Sequence, residues 1–185
     1  IGLVNSEKDI EPSDSKNSFS PTEVTLLPTS NCHLKCIYCF SNGGDKILNM
    51  SWNSAKFAID KIVKNSIREQ VDPLLIFHGG GEPTLNWDIL NRATDYIKQT
   101  SALVGLKARV NMVSNGIWSD STLMWVEENI DRLTISFDGP QDIQDLHRPF
   151  RNGQGSFNKV KKTCDRLTQA GFTFGIRSTI TKHQE

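Results

Sequence analysis

The chain has 185 residues, of which 37% are hydrophobic and 23% are charged, and its 21 acidic residues balance its 21 basic ones. This length suffices for one sizeable hydrophobic core. A balanced charge argues against a dedicated nucleic-acid-binding protein, and no apolar stretch approaches the roughly 20 residues that cross a bilayer. Because the N-terminus also lacks a signal-peptide pattern, we expect a cytoplasmic protein that binds neither nucleic acid nor a membrane.

Residues 1–21 are rich in Ser, Asp, Asn, Glu and Lys and contain few apolar side chains. Such a segment buries too little apolar surface to offset the entropy that ordering costs. We therefore expect a flexible leader over residues 1–21 and a folded core over residues 22–185. The chain starts at Ile1 rather than Met and stops at Glu185 just after an apolar run, so we expect the core to be incomplete at its C-terminal end.

Short apolar runs alternate with helical periodicity from residue 24 onward. The runs, rich in Val, Ile, Leu, Phe or Thr, predict five strands. Apolar residues at three- and four-residue spacing predict four helices, the first capped by Ser51 and the last ended by Gly171. The predicted strands cover residues 24–28, 74–78, 108–114, 133–137 and 172–180, and the predicted helices cover residues 51–69, 86–99, 119–128 and 156–170.

Repeated strand-helix units indicate an α/β fold in which helices cover a parallel sheet. The sheet is either open and doubly wound or part of a barrel. A complete eight-unit barrel takes about 250 residues, so this chain fits only a partial barrel of five or six strands. In both architectures, functional side chains gather in the loops at the carboxyl ends of the strands.

The first of these loops contains Cys32, Cys36 and Cys39 in a C-x3-C-x2-C pattern. Clustered cysteines in a reducing compartment are typical of a metal or redox site. Cubane iron-sulfur clusters usually take four cysteine thiolates. Three thiolates leave one iron open, which suits a cluster that binds a small molecule directly.

Two other interpretations of the cysteines stay open. The three thiols and either His33 or His78 would form the ligand set of a structural zinc site. An electron carrier would need a fourth cysteine, and Cys164 is the remaining one. Because Cys164 falls on a predicted helix, we expect it to act as a small buried hydrophobic residue.

Polar segments also follow the second, third and fourth predicted strands. Residues 78–83 read H-G-G-G-E-P, residues 114–116 read S-N-G, and residues 136–140 read S-F-D-G-P. Glycines permit close backbone approach and unusual torsions, while a carboxylate or carbonyl suits an ammonium-like group. Each segment alone is also an ordinary turn former.

Taken together, these motifs resemble the radical S-adenosylmethionine (SAM) enzymes, whose signature is C-x3-C-x-aromatic-C, with Tyr38 as the aromatic residue. The resemblance covers roughly residues 24–181 and is greatest to the anaerobic sulfatase maturases and peptide-modifying maturases. It implies that residues 22–185 are a radical SAM core. The implied fold is a partial (β/α)6 TIM-like barrel of parallel strands with outer helices, truncated after the fifth strand.

The resemblance also implies the cofactors and the residues that bind them. Cys32, Cys36 and Cys39 would hold a 4Fe-4S cluster, and the amino and carboxylate groups of SAM would chelate the fourth iron. The G-G-E segment would contact the methionine amino group. The cofactor-binding residues implied in this way, besides the cysteines, are Tyr38, Gly80, Gly81, Glu82, Asn115 and Ser136.

The maturase subgroup often has an H-D-x-x-R pattern after its D-G-P segment. Here Gln144 takes the place of the histidine, while Asp145 and Arg148 fit the pattern. Arg148 is a candidate for bidentate binding of a carboxylate, or else a solvated arginine. Arg177 lies on the predicted fifth strand, where we expect it to be buried and paired because an inward-facing charge needs a partner.

The implied reaction is reductive cleavage of SAM to a 5'-deoxyadenosyl radical that abstracts hydrogen from a substrate. The preferred substrate is a peptide or protein side chain, and the implied electron donor is a protein such as flavodoxin or ferredoxin. A small-molecule radical SAM enzyme and a glycyl-radical activase are alternatives. An iron-sulfur or zinc module with a structural or electron-transfer role is an alternative outside the enzymes. No general base is predicted.

Overall fold

The structure, a computed structural model, describes residues 19–181. Residues 1–18 of the predicted leader lie outside the described residues, and residues 19–22 precede the first strand. No helix in the described part of the chain combines the length and apolar character that a membrane crossing needs. The elements are β1 (Glu23–Leu26), α1 (Trp52–Glu69), β2 (Leu74–Phe77), a short 3-10 helix (Pro83–Leu85), α2 (Trp87–Ala102), β3 (Arg109–Ser114), α3 (Asp120–Asn129), β4 (Arg132–Ser136), α4 (Gln141–His147), α5 (Phe157–Gln169) and β5 (Phe174–Arg177).

The five strands form one parallel sheet in the order β1-β2-β3-β4-β5. Each strand therefore lies beside its predecessor, as in a barrel, whereas a doubly wound sheet reverses its strand order. The prediction of a partial α/β barrel is confirmed, and the doubly wound alternative is excluded for residues 19–181. Because all strands are parallel, their carboxyl ends meet at one edge of the sheet.

The hydrophobic core lies between the sheet and its helices. Alternate residues of β2, β3 and β4 point into it, as the two-residue period of a strand requires; Phe77, Met112 and Leu133 are almost fully buried. Ile59 of α1 and Leu90 of α2 are also buried in this core. The other set of alternate side chains in these strands is partly or fully exposed.

The predicted helix ends are largely confirmed. The Ser51 side chain accepts a hydrogen bond from the Ser54 N–H at 3.1 Å, so it caps α1. Gly171 follows Ala170, the C-cap of α5, and has φ +71, a conformation that glycine adopts without strain. The sequence did not predict α4. This short helix buries the polar Gln144 and His147, so it carries no apolar stripe to reveal it.

Candidate active site

A cavity of about 350 Å³ lies at the carboxyl edge of the sheet. It is surrounded by the cysteine loop after β1 and by the segments that follow the other four strands. Convergence at this edge follows from the parallel strand order. Every residue that the sequence predicts for the site lines the cavity: Cys32, Cys36, Tyr38, Cys39, Gly80, Gly81, Glu82, Asn115, Ser136, Arg148 and Arg177.

The three thiols of the cysteine loop have different surroundings. Burial raises the pKa of Cys32 and raises the pKa of Cys36 to about 11. Burial also acts to raise the pKa of Cys39, but hydrogen bonds from Ser41 and Gly43 outweigh it and lower this pKa. The Gly43 N–H donates to Cys39 Sγ at 3.4 Å. Cys39 is therefore the most acidic thiol of the loop.

Gly43 keeps the space beside two of the sulfurs open. A Cβ at this position would lie 3.6 Å from Cys39 Sγ, 3.9 Å from Cys32 Sγ and 3.2 Å from Cys32 Cβ. Three thiols from one loop, with a glycine beside two of them, fit an iron-sulfur cluster. Across residues 19–181, no three or more His, Cys, Asp or Glu side chains are arranged as ligands of one metal ion. A cubane with thiolates on separate irons does not require that arrangement.

The glycine-rich loop after β2 lies directly against the cysteine loop. Gly80 has φ +115, which glycine adopts readily, and its carbonyl accepts a hydrogen bond from Ser41 Oγ at 2.6 Å. A Cβ on Gly81 would clash with the backbone of Asn31. The Glu82 N–H donates to the Asn31 carbonyl at 2.7 Å. The second and third glycines thus allow two functional loops to approach closely.

Glu82 is 1% exposed, and its carboxylate is occupied by donors from the protein. Oε1 accepts from the Thr84 N–H and hydroxyl at 3.3 and 2.9 Å and from Ser114 Oγ at 2.8 Å. Oε2 accepts from the Asn115 N–H at 2.8 Å. These bonds satisfy a buried charge that would otherwise be costly, and they join the loop after β2 to the end of β3.

Asn115 and Ser136 lie at the ends of β3 and β4. The Asn115 side chain accepts from the Ile117 N–H at 2.9 Å, and its amide nitrogen lies 3.7 Å from Cys32 Sγ in a donor geometry. Asn115 therefore links the third loop to the first. Ser136 pairs in register with Arg177, which places both side chains at the same level of the cavity wall.

A buried polar network lies beside Cys36. Tyr38 donates its hydroxyl hydrogen to Asp138 and accepts a hydrogen bond from Arg148 Nη1 at 2.9 Å. Burial, followed by the hydrogen bond to Asp138, raises the pKa of Tyr38 to about 12. His147 is fully buried, with Nδ1 3.4 Å from Asp138 Oδ2. The sequence analysis did not assign roles to Asp138 or His147.

The departure from the H-D-x-x-R pattern has a structural explanation. Gln144 is fully buried and bridges two segments: its Oε1 accepts from the Asp138 N–H at 2.8 Å, and its Nε2 donates to Ser156 Oγ at 2.9 Å. Asp145 accepts from the Phe157 N–H at 2.8 Å and thus caps the first turn of α5. A neutral glutamine, which both donates and accepts, suits this bridge.

Arg177 and Cys164 differ in how far their surroundings agree with the prediction. The expectation that Arg177 is buried was wrong: it is exposed, because β5 is an edge strand of the described sheet. Arg177 Nη1 lies 3.1 Å from His78 Nε2. Cys164 lies on α5 and packs against the hydrophobic core as a partly buried residue, as expected. It does not line the cavity among the described residues.

The chain is similar to known proteins of one family. Residues 26–184 match the family described as the Radical SAM superfamily. A cysteine-type anaerobic sulfatase-maturating enzyme of Clostridium novyi is 26% identical, covering 84% of this chain and 42% of that protein. An AdoMet-dependent heme synthase of Oleidesulfovibrio alaskensis is 27% identical, covering 98% of this chain and 43% of that protein. The chain therefore spans about half the length of the curated relatives it matches.

A solved structure has a fold similar to that of this chain. The structure described as native anSMEcpe with bound AdoMet has a TM-score of 0.73 and 25% sequence identity, covering 88% of this chain and 45% of that chain. The family match spans most of the chain, and this confirms the predicted cofactors of the family, a 4Fe-4S cluster and SAM. The chain belongs to the radical SAM superfamily.

Proposed function

We propose that Cys32, Cys36 and Cys39 hold a 4Fe-4S cluster and that the remainder of the cavity binds SAM. The observation that supports this most strongly is the convergence of the cysteine loop, the glycine-rich loop and the ends of β3, β4 and β5 on one cavity. When bound, the cluster and SAM supply a 5'-deoxyadenosyl radical that abstracts hydrogen from a substrate. The protein's own contribution is binding, orientation and exclusion of water.

Arg148 is the residue best suited to the carboxylate of SAM. It is 8% exposed and lines the cavity, and its Nε has no hydrogen-bond partner within residues 19–181. A cationic guanidinium beside the cavity suits an anionic ligand group, and arginine binds carboxylates in bidentate geometry. Tyr38 accepts from Arg148 Nη1 and so fixes the direction of the guanidinium.

The amino group of SAM would lie at the glycine-rich loop. Since the Glu82 carboxylate is already occupied by Thr84, Ser114 and Asn115, we assign the contact to backbone carbonyls of Gly80 and Gly81. The Gly80 carbonyl also accepts from Ser41 Oγ, and its second lone pair is the one assigned to the amino group. Glu82 would act indirectly, by holding this loop in place. Asn115 and Ser136 line the remaining wall and offer an amide and a hydroxyl to the ribose and methionine parts.

We propose a peptide or protein side chain as the substrate. The similarity to a sulfatase-maturating enzyme supports this, because that relative matures a protein. The heme synthase, of nearly equal identity, favours a small-molecule substrate as the second candidate. A protein electron donor such as flavodoxin or ferredoxin would reduce the cluster in the cell.

The cofactor proposal is tested by anaerobic reconstitution of the full-length protein with iron and sulfide, followed by reduction with dithionite and addition of SAM. The expected product is 5'-deoxyadenosine. Cys36→Ala should lose both the cluster and the product, whereas the matched variant Cys164→Ala should keep both. Loss of iron in Cys164→Ala, or a colourless zinc-containing wild-type protein, would refute the assignment.

The substrate class requires a separate measurement. Candidate peptides and candidate tetrapyrroles, each deuterated at the reacting positions, would be incubated with the reconstituted protein and SAM. Deuterium recovered in 5'-deoxyadenosine from a peptide supports the proposed substrate. Deuterium recovered only from the tetrapyrrole would replace it with the small-molecule candidate.

A further inference from the structure

The cysteine loop is held in place by residues 147–151, a segment that begins at the last residue of α4. The two segments run antiparallel and share backbone hydrogen bonds. These bonds fix the backbone of the loop that carries Cys32 and Cys36. The contacts are Ile37 N–H to the His147 carbonyl at 3.0 Å, Lys35 N–H to the Pro149 carbonyl at 2.8 Å, Arg151 N–H to the His33 carbonyl at 3.3 Å, and the bridge between Leu34 and Phe150.

The side chain of Arg151 extends this contact to the far part of the cysteine loop. Its Nη1 donates to the Gly43 carbonyl at 2.6 Å, and its Nη2 lies 3.2 Å from Asp45 Oδ1. A Cβ on Gly44 would lie 2.5 Å from Nη1, so the glycine makes room for the guanidinium. Contacting the Gly43 carbonyl and the Asp45 carboxylate at the same time requires the two Nη atoms of a planar guanidinium, which lysine lacks.

Gly43 connects this contact to the sulfurs. Its carbonyl is held by Arg151, while its N–H donates to Cys39 Sγ at 3.4 Å. Its Cα also lies close to Cys32, since an added Cβ would be 3.2 Å from Cys32 Cβ. Hydrogen bonds to ligating sulfurs are among the factors that set the reduction potential of an iron-sulfur cluster.

We propose that Arg151 is a positioning residue that holds the Gly43 N–H on the Cys39 sulfur and thereby raises the reduction potential of the cluster. This inference rests on the proposed function. Its physical basis is that an N–H donor stabilises the more negative, reduced form of the cluster. Arg151 and Arg148 thus have separate roles, since Arg148 lines the cavity and is assigned to SAM.

The first test uses the full-length protein without metal, so it does not depend on the cluster. Hydrogen exchange of peptides covering residues 40–46 would be compared in wild type, Arg151→Lys and Arg151→Gln. Both variants should exchange about fivefold faster there, as expected from the loss of one hydrogen bond. Arg166→Lys is the matched control, because Arg166 is a similarly exposed arginine paired with an aspartate, Asp120. It should leave this exchange unchanged.

The second test is the midpoint potential of the reconstituted cluster, measured by an EPR-monitored redox titration without SAM. Arg151→Lys and Arg151→Gln should both shift the potential to more negative values, and Arg166→Lys should not. A shift in Arg151→Gln alone would mean that only the charge matters, which contradicts the proposal. Unchanged exchange over residues 40–46 would also contradict it, even in a variant that fails to assemble a cluster. Failure of the wild type to bind iron would instead refute the proposed function.

Discussion

The carboxylate of Glu82 accepts a hydrogen bond from the backbone N–H of Asn115 at 2.8 Å, across 33 positions of sequence. This bond fixes the glycine-rich loop after β2 to the end of β3. Because Ser114 Oγ donates to the same carboxylate, two residues of the third unit depend on one side chain of the second. Glu82 therefore contributes to the site as an organiser of two loops.

Glu82→Gln should destabilise the fold. The amide nitrogen of glutamine cannot accept a hydrogen bond, so at least one of the buried donors from Thr84, Ser114 or Asn115 would lose its partner. The expected cost is about 1–3 kcal/mol in the free energy of unfolding, measured by urea denaturation. Glu128→Gln is the control, because Glu128 is exposed on α3. Equal stability of the two variants would contradict this role.

Gly81→Ala and Gly79→Ala form a matched pair within one loop. A Cβ on Gly81 would clash with the Asn31 backbone, whereas a Cβ on Gly79 would have Gly81 O at 3.8 Å as its nearest contact. Gly81→Ala should therefore separate the glycine-rich loop from the cysteine loop and lower iron content after reconstitution. Gly79→Ala should retain iron as in wild type. The reverse order of iron content would show that the loops do not meet as described.

Gln144→Leu should destabilise the protein by about 1–3 kcal/mol, because it leaves the buried Asp138 N–H and Ser156 hydroxyl without their partner. Thermal and urea denaturation would measure the change. The control is Gln141→Leu, since Gln141 is exposed at the start of the same helix. A stability of Gln144→Leu equal to wild type would indicate that water replaces the bridge.

The pKa of His78 is lowered by partial burial and then by the nearby Arg177. Arg177→Gln should therefore raise the pKa of His78, which NMR titration of the imidazole would measure. The control is Arg109→Gln, because Arg109 lies at the start of β3, away from the carboxyl edge of the sheet; it should leave this pKa unchanged. A lowered histidine pKa makes the unfolded state bind more protons, so stability falls as pH decreases below about 6.5. That decrease should be weaker in Arg177→Gln. An unchanged pKa would show that the contact with Arg177 is absent in solution.

Much of the fold could be predicted because β2 is a continuous apolar run, β3 and β4 alternate apolar and polar residues, and α1 has a clear cap. The gathering of the cysteines, the glycines and Asn115 also followed from parallel strands whose carboxyl ends meet. In contrast, the pairing of Tyr38 with Asp138 joins residues 100 positions apart, and no local pattern reveals it. Arg177 is likewise exposed because β5 is an edge strand of the described sheet, and the local pattern of a strand does not reveal its position in the sheet.

The most direct test of the central claim is whether SAM binds the cluster at an iron that lacks a protein ligand. Electron-nuclear double resonance on the reduced, reconstituted full-length protein would be recorded with SAM carrying ¹⁵N in its amino group. We predict a ¹⁵N hyperfine coupling to the cluster that disappears with unlabelled SAM. A cluster that shows no such coupling at saturating SAM, or one ligated by a fourth protein side chain, would contradict the account.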